Sequence, residues 1–148
     1  MAMNLDLPDL FGRATIVLGG HEGLREATHS LREVSAALLG QRPASLENVK
    51  AQVATFAERL RSHFAAEERP EYFGTLAAQS PGLERAIGRL LAEHQQMICI
   101  LSSLCAFGSV ENNGVWFGHE LEGLLDILAA HERREHELIG EFFATADV

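Results

Sequence analysis

Basic residues are scarce in this chain: 12 Lys and Arg stand against 21 Asp and Glu, a formal net charge of -9. A nucleic-acid surface needs clustered cations, so that partner class is excluded. Attraction to an anionic membrane surface is weak for the same reason. Long apolar runs are also missing. None approaches the span of a bilayer, so neither a transmembrane helix nor a membrane partner is expected. The opening "MAMNLDLPDL" lacks the basic and apolar segments of a secretory leader, and the expected location is the cytoplasm. The only two cysteines, Cys99 and Cys105, are six residues apart. On one helix that is about 9 Å of rise, too far for an undistorted disulfide. They are expected to be buried apolar thiols of a reducing compartment. Strand-period alternation, tandem repeats, low-complexity tracts and domain linkers are all absent.

What remains is a helix-forming sequence of ordinary globular composition, 47% hydrophobic and 22% charged over 148 residues. The length suits one domain, residues 1–148, with a short lead-in at 1–11. Punctuation divides it into four long helical segments. The first runs from about Gly12 to Leu39 and stops at Gly40. The second starts behind a Ser45 N-cap and ends at Arg69, before Pro70. The third starts with Ser80 as cap and Pro81 at the first helical position, and runs to Phe107. The fourth follows the turn sequence "ENNG" and continues to about Phe143. Residues 70–80 form the longest connector, with an extra turn expected around Tyr72 and Phe73. Short loops between long helices predict an all-α, up-down-up-down antiparallel four-helix bundle. Glycines 19, 20 and 23 weaken the first helix by about 1 kcal/mol each, unless they permit close backbone packing.

The chain is rich in histidine, with seven. Apolar stripes at steps of three and four place one on the core face of each helix. The second helix reads Val53, Phe56, Leu60, His63, Glu67, and the fourth reads Leu124, Leu128, His131, Glu135, Leu138. The third gives Ile87, Leu90, His94, Met97, Leu101, and the first, less cleanly, Val17, His21, Leu24, Leu31. His29 and His119 fall on solvated faces. His136, beside Glu132 and Arg133, is expected to be peripheral.

A lone histidine on an apolar face is ordinarily a satisfied core residue. A buried ionised glutamate is different, because without a partner it costs several kcal/mol. No Lys or Arg lies on these stripes to neutralise Glu67 and Glu135. Four imidazoles and two carboxylates facing one core therefore call for metal cations as the common counter-charge. Axial position agrees. His21 lies 18 residues before Leu39 and His63 18 residues after Ser45. Both are thus about 27 Å from the loop they share.

The motifs "GGHEGLR", "HFAAEE", "LAEHQQM" and "HERREHEL", in this order and with both H-x-x-x-E pairs, resemble the hemerythrin-like, HHE cation-binding family over nearly the whole chain. The resemblance implies a non-haem di-iron centre: His21 and His63 on one ion, His94 and His131 on the other, Glu67 and Glu135 bridging, and an oxo or hydroxo bridge from solvent. Two departures from the oxygen-carrying hemerythrins stand out. Ile98 occupies the place of their second histidine on the third helix. Glu135 follows His131 by four residues rather than five, leaving His136 at the fifth. Fewer histidines leave more open positions for water, oxygen, peroxide or nitric oxide, and shift the expectation away from reversible oxygen carriage. Glu22, Glu93 and Glu132 are candidates for supporting or replacement ligands. Mixed imidazole and carboxylate ligation suits iron best, with manganese or zinc as alternatives.

The expected function is binding or sensing of a small diatomic or peroxide ligand, with a partner protein supplying any output. The alternatives are a di-iron enzyme of peroxidase, catalase or oxygen-reducing type, and an iron-handling protein. Tyr72, Cys99, Cys105 and Trp116 are candidates for a relay, with ordinary packing the simpler role. Monomer and homodimer both fit the sequence.

Overall fold

A computed structural model describes residues 7–42, 45–106 and 113–146. Four long helices account for most of them: α1 (Leu7–Leu39), α2 (Leu46–Glu67), α3 (Pro81–Ala106) and α4 (Gly114–Ala146). A π-helical turn at Pro70–Gly74 and a single α-turn at Thr75–Ala77 bridge α2 and α3. Each helix packs on its sequence neighbours, and α1 closes the ring against α4. This is the all-α bundle expected from the stripes.

The boundaries follow the local chemistry. Ser45 accepts from the Asn48 amide at 3.4 Å, and Ser80 accepts from the Leu83 amide at 3.1 Å, so both act as N-caps. α1 begins at Leu7, five residues before the expected Gly12, because Leu10 and Ala14 extend its buried stripe by a turn. α2 ends at Glu67 rather than Arg69. Arg69 adopts extended geometry (φ -62°, ψ 141°), as a residue before proline does. The predicted third-helix end, Phe107, lies outside the described residues. The turn predicted around Tyr72 and Phe73 is present, and both side chains are buried.

Two apolar clusters fill the bundle. One contains Leu24, Leu31, Val53, Phe56, Leu60, Phe64, Met97, Leu101, Leu121 and Leu124. The other contains Leu10, Ala14, Val17, Tyr72, Phe73, Leu76, Ile87, Leu90 and Ile139. Along α1 the boundary between them is His21, between Val17 and Leu24; along α3 it is His94, between Leu90 and Met97. The histidines thus form a polar layer between two dry cores. An ion-pair cluster ties α1 to α4 beyond this layer, where Glu122 accepts from Arg32 and from the buried Ser35 hydroxyl, both at 2.6 Å.

One expectation fails. Cys99 and Cys105 are both exposed, not buried. Cys99 lies two residues from both Met97 and Leu101, on the opposite side of α3 from the stripe they define. Cys105 follows Leu104, which takes the last core position of that helix.

Candidate metal centre

The side-chain periodicity that marked the six residues also brings them together. His21, His94 and His131 are each 1% exposed, and Glu67 and Glu135 are fully buried. His63 is half-buried, with 10% of its side chain accessible. Glu67 Oε1 lies 3.4 Å from His63 Nε2 on its own helix and 3.3 Å from His94 Nε2 on α3. Glu135 Oε2 lies 3.5 Å from His21 Nε2 and 3.9 Å from His131 Nε2. The Nε2 atoms of His94 and His131 are 3.1 Å apart. Two donor sets result, each with ligand atoms within 4.8 Å of one another: His21, His63, Glu67 and Glu135, and Glu67, His94 and His131. Glu67 belongs to both.

Two outward ring nitrogens meet Glu93, a supporting-ligand candidate in the sequence, and His136, which was expected to be peripheral. His131 Nδ1 donates to Glu93 Oε1 at 3.2 Å, and the Arg134 guanidinium donates to both oxygens of the same carboxylate. His21 Nδ1 and His136 Nε2 are 2.9 Å apart, so His136 is exposed yet hydrogen-bonded to the cluster. Glu68 is exposed, yet its carboxylate stands 3.5 Å from His94 Nδ1. Tyr72 donates to Glu135 Oε1 at 3.4 Å. The His94 ring stacks on Phe64 at 3.8 Å and 12°, with Phe73 also stacked at 5.9 Å. Among the described residues His63 has no hydrogen bond at its outward nitrogen, and its ring contacts are tilted ones, with His21 at 4.5 Å and Phe64 at 6.3 Å. Its Nδ1 would stand 3.3 Å from a Cβ at Gly20, so that glycine permits the close approach of α1. Glu22, His29, His119 and Trp116 are exposed, and none belongs to either donor set.

Electrostatics mark the cluster as unfinished. Burial first, then repulsion from His21, lowers the His63 pKa to about 4. Burial, then His131, lowers that of His94 to about 3. His131 is lowered by burial against the opposing pull of Glu135 and Glu93. These imidazoles are therefore neutral at pH 7 and available as ligands. Burial, then the adjacent Glu135 carboxyl, pushes Glu67 far up. Glu135 goes the other way. Burial opposes its charge, but the neighbouring Glu67 carboxyl and His21 hold it below the usual range. Among the described residues, no Lys or Arg pairs with either carboxylate.

Metal donors fit this arrangement. The Nε2 atoms of His21 and His63, both oxygens of Glu67 and Oε2 of Glu135 are buried without a hydrogen-bond partner. Such orphaned atoms are rare in folded proteins. A first-row ion binds imidazole nitrogen and carboxylate oxygen at about 2.1 Å, which sets two donors of one ion about 3–4 Å apart. The four histidine–glutamate distances, from 3.3 to 3.9 Å, fall in that interval.

No helix among the described residues is long and apolar enough to cross a membrane. No curated protein and no solved structure matches the chain. The family described as the hemerythrin HHE cation binding domain does, over residues 14–143, which takes in every residue of the cluster. With that match across most of its length, the chain belongs to the hemerythrin HHE cation-binding family.

Proposed function

We propose that this cation-binding domain holds two iron ions and presents them to oxygen, peroxide or nitric oxide. His21 and His63 serve one ion, His94 and His131 the other, and Glu67 and Glu135 bridge. The observation that carries this reading is Glu67: fully buried, without a Lys or Arg partner among the described residues, and shared by both donor sets. Two divalent ions supply four positive charges against two carboxylates and leave coordination positions free.

The protein's own part is positional. Glu93 and His136 orient the rings of His131 and His21 through their outward nitrogens, the usual arrangement around a metal-bound imidazole. Phe64 and Phe73 hold the His94 plane. The two apolar clusters keep bulk water from the layer, which strengthens every charge interaction in it. The iron pair, when bound, supplies Lewis acidity and reversible electron transfer.

Turnover of peroxide is a second reading. It draws on the Tyr72 hydroxyl, a buried proton donor at 3.4 Å from Glu135. The test is anaerobic iron loading, followed by separate additions of oxygen, peroxide and nitric oxide with spectra recorded throughout. About two iron ions per chain and a stable adduct support the binder; repeated peroxide consumption supports the enzyme. His63→Ala combined with His131→Ala abolishes loading. Unchanged stoichiometry in that double variant overturns the assignment.

A further inference from the structure

Five of the six donors are buried and only His63 has an accessible edge, so a small molecule needs a route to them. Tyr72, whose hydroxyl meets Glu135, also lines a small cleft of about 150 Å³ that opens between α1 and α2, together with Arg13, Ile16, Val17, Ala66 and Arg69. That volume matches about five waters, enough for a molecule of two or three heavy atoms. Its lip is Ile16, which is 77% exposed, and its floor is Tyr72, which is 2% exposed. The Tyr72 hydroxyl reaches the Glu135 carboxylate, so one side chain touches both the cleft and the donor layer.

The helix periodicity carries the cleft further. Gly20 lies three residues after Val17 on α1, and His63 three residues before Ala66 on α2, so each pair shares a helix face. Across the seam Gly20 lacks the Cβ that would crowd His63 Nδ1, and His63 is the most exposed of the four clustered histidines. The Gly20–His63 contact thus lies one helical turn from Val17 and Ala66 of the cleft, along the same α1–α2 seam.

Charge at the mouth is selective. Arg13 is paired with Asp9 at 3.1 Å, whereas Arg69 has no ion-pair partner among the described residues. Two guanidinium groups thus line the opening of a chain of net charge -9, one of them without an ion-pair partner among the described residues. The geometry points to the α1–α2 seam as the entrance to the metal layer, with Arg69 favouring small anions over neutral molecules of similar size. This inference rests on the proposed iron centre. It adds the route and its preference.

The experiment uses the full chain loaded with iron, with iron content per chain measured first. Azide, a three-atom anion, is mixed with the ferric protein in stopped flow, and nitric oxide, a neutral probe, with the ferrous protein. Narrowing the seam by Ala66→Phe slows association of both probes by about tenfold. Ile16→Trp, at an exposed position that tolerates bulk, slows both in the same direction. Arg69→Glu slows azide by about tenfold at low salt and leaves nitric oxide unchanged. Iron content stays at the wild-type value in all three, since none is a proposed ligand. Wild-type rates for both probes in Ala66→Phe and Ile16→Trp, with iron retained, overturn the entrance. An equal effect of Arg69→Glu on both probes overturns the anion preference. A wild-type chain without a bound iron pair overturns the underlying centre, and the entrance with it.

Discussion

Glu67 Oε1 on α2 stands 3.3 Å from His94 Nε2 on α3, almost the same distance as from His63, its neighbour one turn back on α2. One carboxylate therefore faces imidazoles from two helices, and no guanidinium or ammonium approaches it among the described residues. In the metal-free protein, burial and Glu135 keep a proton on Glu67. That proton must leave when cations bind.

Metal loading is expected to release about one proton per chain near neutral pH, so the apparent affinity rises by about tenfold per pH unit. His63 and His94, lowered to about 4 and about 3, are already neutral there and release none. Loading apoprotein in weak buffer with a pH indicator measures the release, and Glu67→Gln removes it.

The same groups shape the stability of the apoprotein. His63 and His94 have folded pKa values below the unfolded 6.5, so the unfolded chain binds more protons as pH falls below 6.5 and stability declines. Glu67 acts with the opposite sign. Its folded pKa lies above the unfolded 4.5, so its contribution is full below that value and is lost as pH rises. Urea unfolding of apoprotein should show greatest stability near pH 6–7. Glu67→Gln should flatten the decline on the alkaline side.

Glu93 ties His131 to Arg134, and His21 lies outside that contact. Glu93→Ala is expected to weaken the ion held by His94 and His131 by about 10–100-fold, leaving the other ion near wild-type affinity. Competition titration with a chromophoric chelator should resolve two unequal affinities in this variant.

The exposed thiols make a plain prediction. Both Cys99 and Cys105 should react with a thiol reagent in the folded protein, without denaturant. Replacing either with serine should change stability by less than about 0.5 kcal/mol, as exposed substitutions do.

The helical stripes made the fold and the six clustered residues legible, because a 3.6-residue period fixes which side chains share a face. His63 with Glu67 and His131 with Glu135 could be paired from their spacing alone. Contacts that depend on how one helix is rotated against another could not. Glu93 reaches His131 across the α3–α4 seam, and His136 reaches His21 across α1–α4, although each lies off its own core stripe. Tyr72 sits in a connector without helical period, so its hydroxyl could not be aimed at Glu135 from the sequence. The cysteines show the converse error. Apolar character suggested burial, while their angular position on α3 set their exposure.

The central claim is that Glu67 and Glu135 join two iron ions into one unit. Variable-temperature magnetic susceptibility of the oxidised, iron-loaded protein tests it most directly. A bridged pair is expected to show antiferromagnetic coupling, with a moment that falls towards zero on cooling and two iron ions per chain. A moment that stays at the value of independent high-spin ferric ions, or loading that stops at one ion per chain, would contradict it.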